Sequence, residues 1–398
     1  MSLRILQNNA IKRSIFKCIL NNGNMSIPSL AKNLDISVPT MTKYVSELCN
    51  DGLLSDHGKI TTKEGRYPNS YGVNVDSFYF MGVDIRWFSL TIGIIDISGE
   101  FIEIERFEDF RFTNTEESFN EVCGHISNFI SKIEAEQKIA RDKIINMNIN
   151  ITGRINSQSG YSYSCYNFGE IPLADLFTER LGVDTIINND SRAMTYGEYI
   201  KEYLTTTKNL LFINIGWGLG MGVISEGKLL YGKSGFTGEI GHMNAFDNGI
   251  MCHCGKKGCV ETEVSGLALH REIVTRLKNG EASTLSQKFN QGDDISLYDI
   301  VDAITEQEDM LCIEELEKMA DKLGRQIANL INIFNPEVVV LGGILTETDE
   351  YLLLPVKSTM KKYSLSLLSR DTEIKLSKLK KDAGITGACL LARDTNLL

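Results

Sequence analysis

Three cysteines and two histidines give the middle of the chain a chemical signature. Residues 252–259 read Cys-His-Cys-Gly-Lys-Lys-Gly-Cys, and His242 lies ten residues before them. Three thiolates and one imidazole held together by glycine turns match the tetrahedral ligation of structural zinc. Either histidine could supply the imidazole, although His253 lies between two cysteine ligands and its ring would turn inward with difficulty. The alternative is a cysteine-rich loop that binds no metal.

A second set of polar residues is suited to binding hydroxyl groups. A carboxylate flanked by amides and a second carboxylate can hydrogen bond to several neighbouring hydroxyls, and an aspartate at a strand end can act as a general base. The candidates are Asn189, Asp190, Glu239, His242 and Glu261. For Asn189-Asp190 the alternative is an ordinary turn at the end of a strand.

Alternating glycines follow a predicted strand over residues 216–222. Loops of this kind bring backbone amides up to a phosphate group. Glycine-rich hairpins without a ligand are also common, so both interpretations stay open.

Residues 1–75 predict a winged helix-turn-helix. A first helix spans residues 8–20, and Ser26 and Ser37 are in position to cap two further helices, the last of which ends near Asn50. A hairpin wing follows, and the last helix can enter a major groove. The candidate DNA contacts are Ser37, Thr40, Thr42, Lys43 and Arg66.

Charge is unevenly distributed along the chain. Residues 1–75 contain nine of the 41 basic residues and five of the 52 acidic residues. The rest of the chain contains 32 basic and 47 acidic residues. A small basic piece on a large acidic body favours DNA binding by the first 75 residues. The alternative is a three-helix subdomain with a solvated polar face.

Length and composition narrow the class of protein. A chain of 398 residues suits two or three domains and excludes a disulfide-stapled mini-protein. The longest apolar stretch, residues 210–224, is broken by Asn214 and glycines and is too short for a membrane span. Six isolated cysteines indicate core thiols in a reducing compartment: Cys18, Cys49, Cys123, Cys165, Cys312 and Cys389. We therefore expect a soluble, cytoplasmic protein.

Residues 76–398 predict an α/β fold built from two similar halves. Strands over residues 79–107 form a meander and open the first half, and a strand at residues 210–215 opens the second. Each half leads its strands into a loop that could meet a ligand, which is typical of a duplicated fold with a cleft between its halves. We expect one lobe over about 76–200 together with the C-terminal helix, and the other over about 201–385.

Together these residues resemble the ROK family of repressors, open reading frames and sugar kinases. The most specific match is Gly-Glu-Ile-Gly-His at 238–242, followed by Cys-x-Cys-Gly-x-x-Gly-Cys-x-Glu at 252–261. Further matches are Asn189-Asp190, Gly153-Arg154 and the glycines of 216–222. The resemblance covers nearly the whole chain and implies an actin-like ATPase (ribonuclease H-like) fold of two lobes with a sugar bound between them.

The resemblance also implies which residues act. Zinc would be held in the loop 242–261 by His242, Cys252, Cys254 and Cys259. The sugar would contact Gly153, Asn189, Asp190, Glu239, His242 and Glu261, and Arg154 matches a position that some amino-sugar kinases of the family use. His242 would then serve twice, with one ring nitrogen on zinc and the other toward a sugar hydroxyl.

Departures from the kinase pattern decide the branch of the family. ROK kinases carry Asp-x-Gly-Gly-Thr after the first strand, whereas Asp84 is followed here by Ile-Arg-Trp-Phe. Trp217 replaces a usual threonine in the second phosphate loop. Asp190, the kinase general base, is retained as a vestige, because a sugar-binding role alone would keep it. We therefore expect no enzyme activity.

The expected function is a sugar-responsive transcriptional repressor of a carbohydrate operon. Its partners would be double-stranded operator DNA, a sugar or sugar phosphate that closes the lobes, and a second copy of the chain in a homodimer or tetramer, with no membrane partner. Alternatives are a sugar kinase that also carries a DNA-binding domain, and a scaffold whose winged helix is vestigial.

Overall fold

The computed structural model describes residues 9–59, 68–137 and 139–397. Their contacts divide them into two compact units. One draws on residues 1–150, 165–187 and 388–398, and the other comprises residues 151–164 and 188–387. Every candidate sugar and metal residue belongs to the second unit.

Three short helices and a small sheet form the N-terminal part, as predicted. Asn9, Ser26 and Ser37 cap the helices by accepting backbone N–H bonds. The helices are α1 (Ala10–Asn22), α2 (Ile27–Asn33) and α3 (Val38–Asn50). The strands are β1 (Met25–Ser26), β2 (Leu54–Lys59) and β3 (Asn69–Val73), in the order β1-β3-β2. The hairpin β2–β3 is the wing, and Arg66 lies outside the described residues.

The winged helix has its own apolar core. Ile15, Phe16, Leu30, Met41 and Leu48 are fully buried. These side chains recur at helical spacing on one face of each helix, which leaves the opposite face of α3 polar and exposed.

A buried lysine ties the first helix to α3. Lys12 Nζ lies 3.0 Å from a Glu47 carboxylate oxygen and 3.2 Å from an Asp51 oxygen. The two carboxylates compensate the buried ammonium group, so the orientation of α3 against α1 is fixed.

The rest of the first unit is built on a five-stranded sheet in the order β10-β7-β4-β5-β6. The predicted meander β4–β6 is confirmed by antiparallel pairing. The spacing of apolar residues predicts an amphipathic helix over residues 116–138. The α-helix ends earlier, at Lys132, where the backbone widens into a π-turn over Ile133–Gln137. The elements are β4 (Tyr79–Arg86), β5 (Ser89–Asp96), β6 (Phe101–Phe107), α4 (Glu116–Lys132), β7 (Ile144–Ile151), α5 (Leu173–Leu181) and β10 (Thr185–Asn189).

The second unit contains the other five-stranded sheet, in the order β13-β12-β11-β14-β15. Its core packs the central strands against the long helix α10. The sequence pattern predicts a helix over residues 319–334, but the helix begins at Met310 because Asp309 caps it there. The strands are β8 (Ile155–Asn156), β9 (Tyr161–Ser162), β11 (Leu210–Ile215), β12 (Leu219–Ser225), β13 (Lys228–Leu229), β14 (Val338–Gly342) and β15 (Glu373–Leu376). The helices are α6 (Asp190–Glu198), α7 (Gly266–Lys278), α8 (Ser286–Asn290), α9 (Leu297–Thr305), α10 (Met310–Phe334), α11 (Glu350–Tyr363) and α12 (Ser366–Asp371). The last helix, α13 (Ala383–Leu397), begins in this unit, and its residues from 388 onward belong to the first.

The glycine repeat has a packing function in this fold. Gly220 and Gly222 lie within β12 and not in a loop. A Cβ at Gly220 would overlap the Ser191 hydroxyl, and one at Gly222 would overlap the Thr195 side chain. The two glycines let helix α6 lie directly on the strand.

Two further sequence expectations concern membrane spans and cysteines. Across the described parts of the chain, no helix combines the length and the apolar character needed to cross a membrane. Four of the six isolated cysteines are buried, whereas Cys18 and Cys49 are half-buried.

Replacing Gly387 by alanine is expected to destabilise the protein. A Cβ there would overlap the carbonyl oxygen of Ala193, a backbone atom that cannot move aside. The expected cost is roughly 1–3 kcal/mol of unfolding free energy, measured by urea denaturation.

Gly124→Ala is the matched control, because Gly124 lies inside α4 with no atom within 4 Å of the added Cβ. It should stabilise the protein by roughly 0.5–1 kcal/mol. Equal changes in unfolding free energy for both substitutions would contradict the close contact between Gly387 and the Ala193 carbonyl.

Candidate functional site

Four side chains converge on one point in the second unit. Cys252 Sγ lies 3.6 Å from His242 Nδ1, and Cys254 Sγ lies 3.6 Å from Cys259 Sγ. One donor atom from each of the four residues lies within 4.8 Å of the others. These residues are the ones that the sequence resemblance assigned to zinc, and the cluster could hold a metal ion.

The donor spacing fits a small tetrahedral ion. Metal–sulfur bonds of about 2.3 Å and metal–nitrogen bonds of about 2.0 Å at tetrahedral angles put neighbouring donors about 3.5–3.8 Å apart. Both 3.6 Å distances agree with that spacing.

The position of His253 resolves the choice between the two histidines. His253 Nδ1 faces the Glu261 carboxylate at 3.0 Å, and its side chain is mostly exposed. It lies 3.9 Å from Cys252 Sγ, farther than His242 does. The geometry favours His242 as the fourth donor.

Glycine turns and two isolated bridges shape the loop that carries the thiols. Asn244 bridges to Cys259, and Met251 bridges to Lys257. Gly258 has a φ of +73°, and a Cβ there would overlap the Phe246 carbonyl oxygen. Only glycine allows this turn, which brings the last cysteine back to the first two.

His242 and Glu239 share a turn of 3-10 helix. The second ring nitrogen of His242, Nε2, lies 3.8 Å from a carboxylate oxygen of Glu239. One face of the imidazole therefore meets the thiols and the other meets a carboxylate. The double role that the resemblance implied for His242, with one nitrogen on zinc and the other toward a sugar hydroxyl, stays a prediction.

Glu261 links strand β12 to the thiol cluster, as we call His242, Cys252, Cys254 and Cys259. Its Oε2 accepts the Leu219 N–H at 2.9 Å, and its Oε1 faces His253. A Cβ at Gly218 would lie 2.6 Å from Oε2. Gly218 therefore makes room for the Glu261 carboxylate.

Asn189 and Asp190 stand at the start of helix α6. Asn189 Oδ1 accepts the Arg192 N–H at 3.2 Å, and its Nδ2 donates to the Gly153 carbonyl at 3.0 Å. Asp190 Oδ1 accepts the Ser191 N–H at 2.7 Å. Asn189 is thus a helix cap that also fixes Gly153. In place of the ordinary turn considered as the alternative for Asn189-Asp190, the structure has the first turn of a helix.

Arg192 is a site residue that the sequence did not reveal. Its side chain is 2% exposed, its Nη2 donates to the Ile155 carbonyl at 2.8 Å, and its Nε has no hydrogen-bond partner. Its guanidinium lies over the Tyr231 ring at 5.6 Å. No pattern in the sequence marks a charged residue on the buried face of a helix.

Burial and neighbouring charges set the protonation of the site. Partial burial raises the pKa of Glu239, and the Arg192 guanidinium opposes that rise. Burial lowers the pKa of His242, which favours the neutral imidazole that a metal requires. Burial works to raise the pKa of Glu261, but hydrogen bonds from His253 and a backbone N–H outweigh it and leave that pKa below its ordinary value.

Residues 80–395 match the family model described as the ROK family. The chain belongs to the ROK family. Residues 8–55 match a model for winged helix-turn-helix DNA-binding domains. These matches confirm the predicted fold class, a winged helix-turn-helix followed by an α/β ROK domain of the actin-like type.

Regulators match nearly the whole of this ROK chain. A xylose repressor from Caldicellulosiruptor bescii is 28% identical over 94% of this chain and 93% of its own length. A crystal structure of a ROK family transcriptional regulator, a homolog of the E. coli MLC protein, has a TM-score of 0.80, with 26% identity over 97% of this chain and 95% of its own. A glucokinase from Halalkalibacterium halodurans is 27% identical over 79% of this chain and 95% of its own length.

The segment after Asp84 forms a tight hairpin. Arg86 pairs with Ser89 across the hairpin, so Trp87 and Phe88 form its two-residue turn. Arg86 Nε donates to Asp84 Oδ2 at 2.7 Å. An arginine thus pairs with the buried aspartate at the base of this hairpin.

Four of the five predicted DNA contacts lie together on α3. Ser37, Thr40, Thr42 and Lys43 are exposed. The Ser37 and Thr40 hydroxyls lie 2.8 Å apart, and the Thr42 hydroxyl donates to the Val38 carbonyl at 2.8 Å. The fifth residue, Arg66, falls outside the described ranges.

Removing a donor from the thiol cluster is expected to release its metal. Wild-type protein should retain one metal ion per chain by elemental analysis, and His242→Ala and Cys254→Ser should each lose most of it, because a tetrahedral site holds its ion poorly with three protein ligands. His253→Ala is the matched control, since it removes a neighbouring imidazole outside the cluster. Full metal content in Cys254→Ser would refute this ligand set.

Proposed function

We propose that this ROK protein is a DNA-binding repressor of a carbohydrate-use operon that releases its operator when a sugar or sugar phosphate binds. The observation that carries the proposal is the match to a xylose repressor over 94% of this chain, winged helix included. Because operators lie on the chromosome, this function places the protein in the cytoplasm.

The proposed sugar site surrounds His242. A zinc ion on the thiol cluster would hold His242 by Nδ1, and the ring orientation would leave Nε2 for a sugar hydroxyl beside Glu239. Zinc is the ion that three thiolates and one imidazole favour, and its role here is structural.

Residues at the start of α6 complete the proposed site. Asp190 and the Gly153–Arg154 turn are joined through the Asn189 cap, so their polar groups form one ordered edge. Asn189 and Glu261 already bond to backbone groups, but each oxygen accepts two hydrogen bonds and can still meet a sugar hydroxyl. Arg154 favours an N-acetylated or amino sugar.

We propose that the chain is not an enzyme. Kinase chemistry needs backbone amides around the nucleotide phosphates, and the Asp84–Arg86 ion pair with its bulky turn replaces them. The alternative, a sugar kinase with a DNA-binding domain, draws on the glucokinase relative and on Asp190. Incubation with Mg-ATP and a sugar panel separates the two, since the repressor should form no sugar-dependent ADP.

The proposed DNA contacts imply a symmetric assembly. A homodimer would place its two α3 helices in half-sites one or two helical turns apart, each turn being about 10–10.5 bp. Pairing of dimers into a tetramer would extend the operator without changing these contacts.

The direct test is fluorescence anisotropy of the DNA upstream of the protein's own gene. We expect specific binding at fixed salt and its release by one member of a panel of free and phosphorylated sugars. Specific binding without release by any sugar would contradict a sugar response. Sugar-dependent ADP formation without specific DNA binding would establish the kinase instead.

Lys43→Ala is expected to weaken operator binding. Lys43 is exposed on α3, so its loss removes a cation that can neutralise one phosphate. The salt slope of log K should fall by about 0.9. Lys278→Ala, an exposed lysine on α7, is the matched control and should leave the slope unchanged. An unchanged slope in Lys43→Ala would remove Lys43 from the DNA contact.

A further inference from the structure

Exposed aromatic side chains lie beside the proposed sugar site and take no part in the function described so far. Tyr163 is 51% exposed and Phe236 is 37% exposed. Their rings meet edge to face with centroids 5.7 Å apart. Tyr161 continues the row, with its ring centroid 6.4 Å from that of Tyr163. We refer to Tyr161, Tyr163 and Phe236 as the aromatic strip.

Ordered backbone holds the strip in place. The Tyr163 N–H donates to the Arg154 carbonyl at 2.9 Å, next to the paired strands β8 and β9. The loop that carries Phe236 packs on this hairpin through Gly235, where a Cβ would lie 2.9 Å from the Ile155 carbonyl oxygen and φ is +80°. The rings therefore stand on two loops that fix each other.

The same two loops carry residues of the proposed sugar site. Gly153 and Arg154 lead into the hairpin that presents Tyr163, and Glu239 follows Phe236 by three residues. The Asn189 side-chain amide donates to the Gly153 carbonyl at 3.0 Å, so the chain that leads into this hairpin is also joined to Asn189 of the proposed sugar site. An apolar surface thus adjoins the polar cluster that would bind the first sugar ring.

We propose that Tyr163 and Phe236 form an outer subsite for a second sugar ring, so that the ligand is a di- or oligosaccharide. This inference rests on the sugar-binding function proposed above. A pyranose ring exposes C–H bonds on its faces and hydroxyls at its edges, so a face packs on an aromatic ring while the hydroxyls stay hydrated. Tyrosine and phenylalanine supply this surface at low entropic cost, because each has only two side-chain torsions.

Paired sugars test the outer subsite in the full-length protein. Isothermal titration calorimetry would compare xylose with xylobiose, glucose with cellobiose, and N-acetylglucosamine with its β-1,4-linked dimer. At least one disaccharide is expected to bind about tenfold more tightly than its monosaccharide, and Phe236→Ala should lower that ratio about tenfold. Tyr163→Ala should lower the ratio in the same way. This second variant keeps the test valid if Phe236→Ala fails to fold.

Two variants serve as controls. Phe236→Tyr keeps an aromatic ring at the same place and should preserve the affinity ratio. Phe334→Ala removes a phenylalanine of similar exposure, 40%, from helix α10, which contributes no residue to the site. It should also preserve the ratio.

The outcomes separate this inference from the function on which it rests. If monosaccharides bind and no disaccharide binds more tightly, the outer subsite is wrong and the repressor proposal stands. The same conclusion follows if a disaccharide preference persists in both Phe236→Ala and Tyr163→Ala. If none of the six sugars binds but a sugar phosphate releases the operator, the outer subsite is again wrong. If no sugar of either kind binds, both proposals fail.

Discussion

The proposed ligand site depends on the orientation of the His242 imidazole. Its Nδ1 lies 3.6 Å from a thiol of the cysteine cluster, and its Nε2 lies 3.8 Å from Glu239. A ring held from one side by a metal presents its other nitrogen in a fixed direction. In the proposed site, a metal bound by the thiol cluster would thus order the hydrogen-bonding groups of the segment between Glu239 and Glu261.

Glycines provide the second constraint, because they let neighbouring segments of the second unit pack closely against each other. Gly218 leaves room for the Glu261 carboxylate, and Gly220 and Gly222 let α6 lie on β12. Helix α6 begins with Asp190, so the same close packing fixes the polar edge of the site. The space beside these glycines is filled by the side chains of Glu261, Ser191 and Thr195.

The sequence predicted local features well where one residue decides them. Ser26 and Ser37 were expected to cap helices and do so. The spacing of the cysteines indicated a donor cluster, the resemblance to the ROK family named His242 as its fourth member, and the four donor atoms lie together. Two features were missed. The early start of α10 depends on the Asp309 cap, a local signal that lies outside the apolar pattern. The burial of Arg192 depends on tertiary packing, because the hairpin supplies its carbonyl partner. Neither leaves a periodic signal.

The most direct test of this account is sugar affinity with and without the metal. The sugar that releases the operator would be titrated into metal-loaded and chelator-treated protein, with operator affinity as a check that the winged helix is intact. The account predicts a loss of sugar affinity of about tenfold or more on metal removal, restored by zinc, because His242 loses its fixed orientation. Equal sugar affinity in both samples, with the metal shown to be absent, would contradict it.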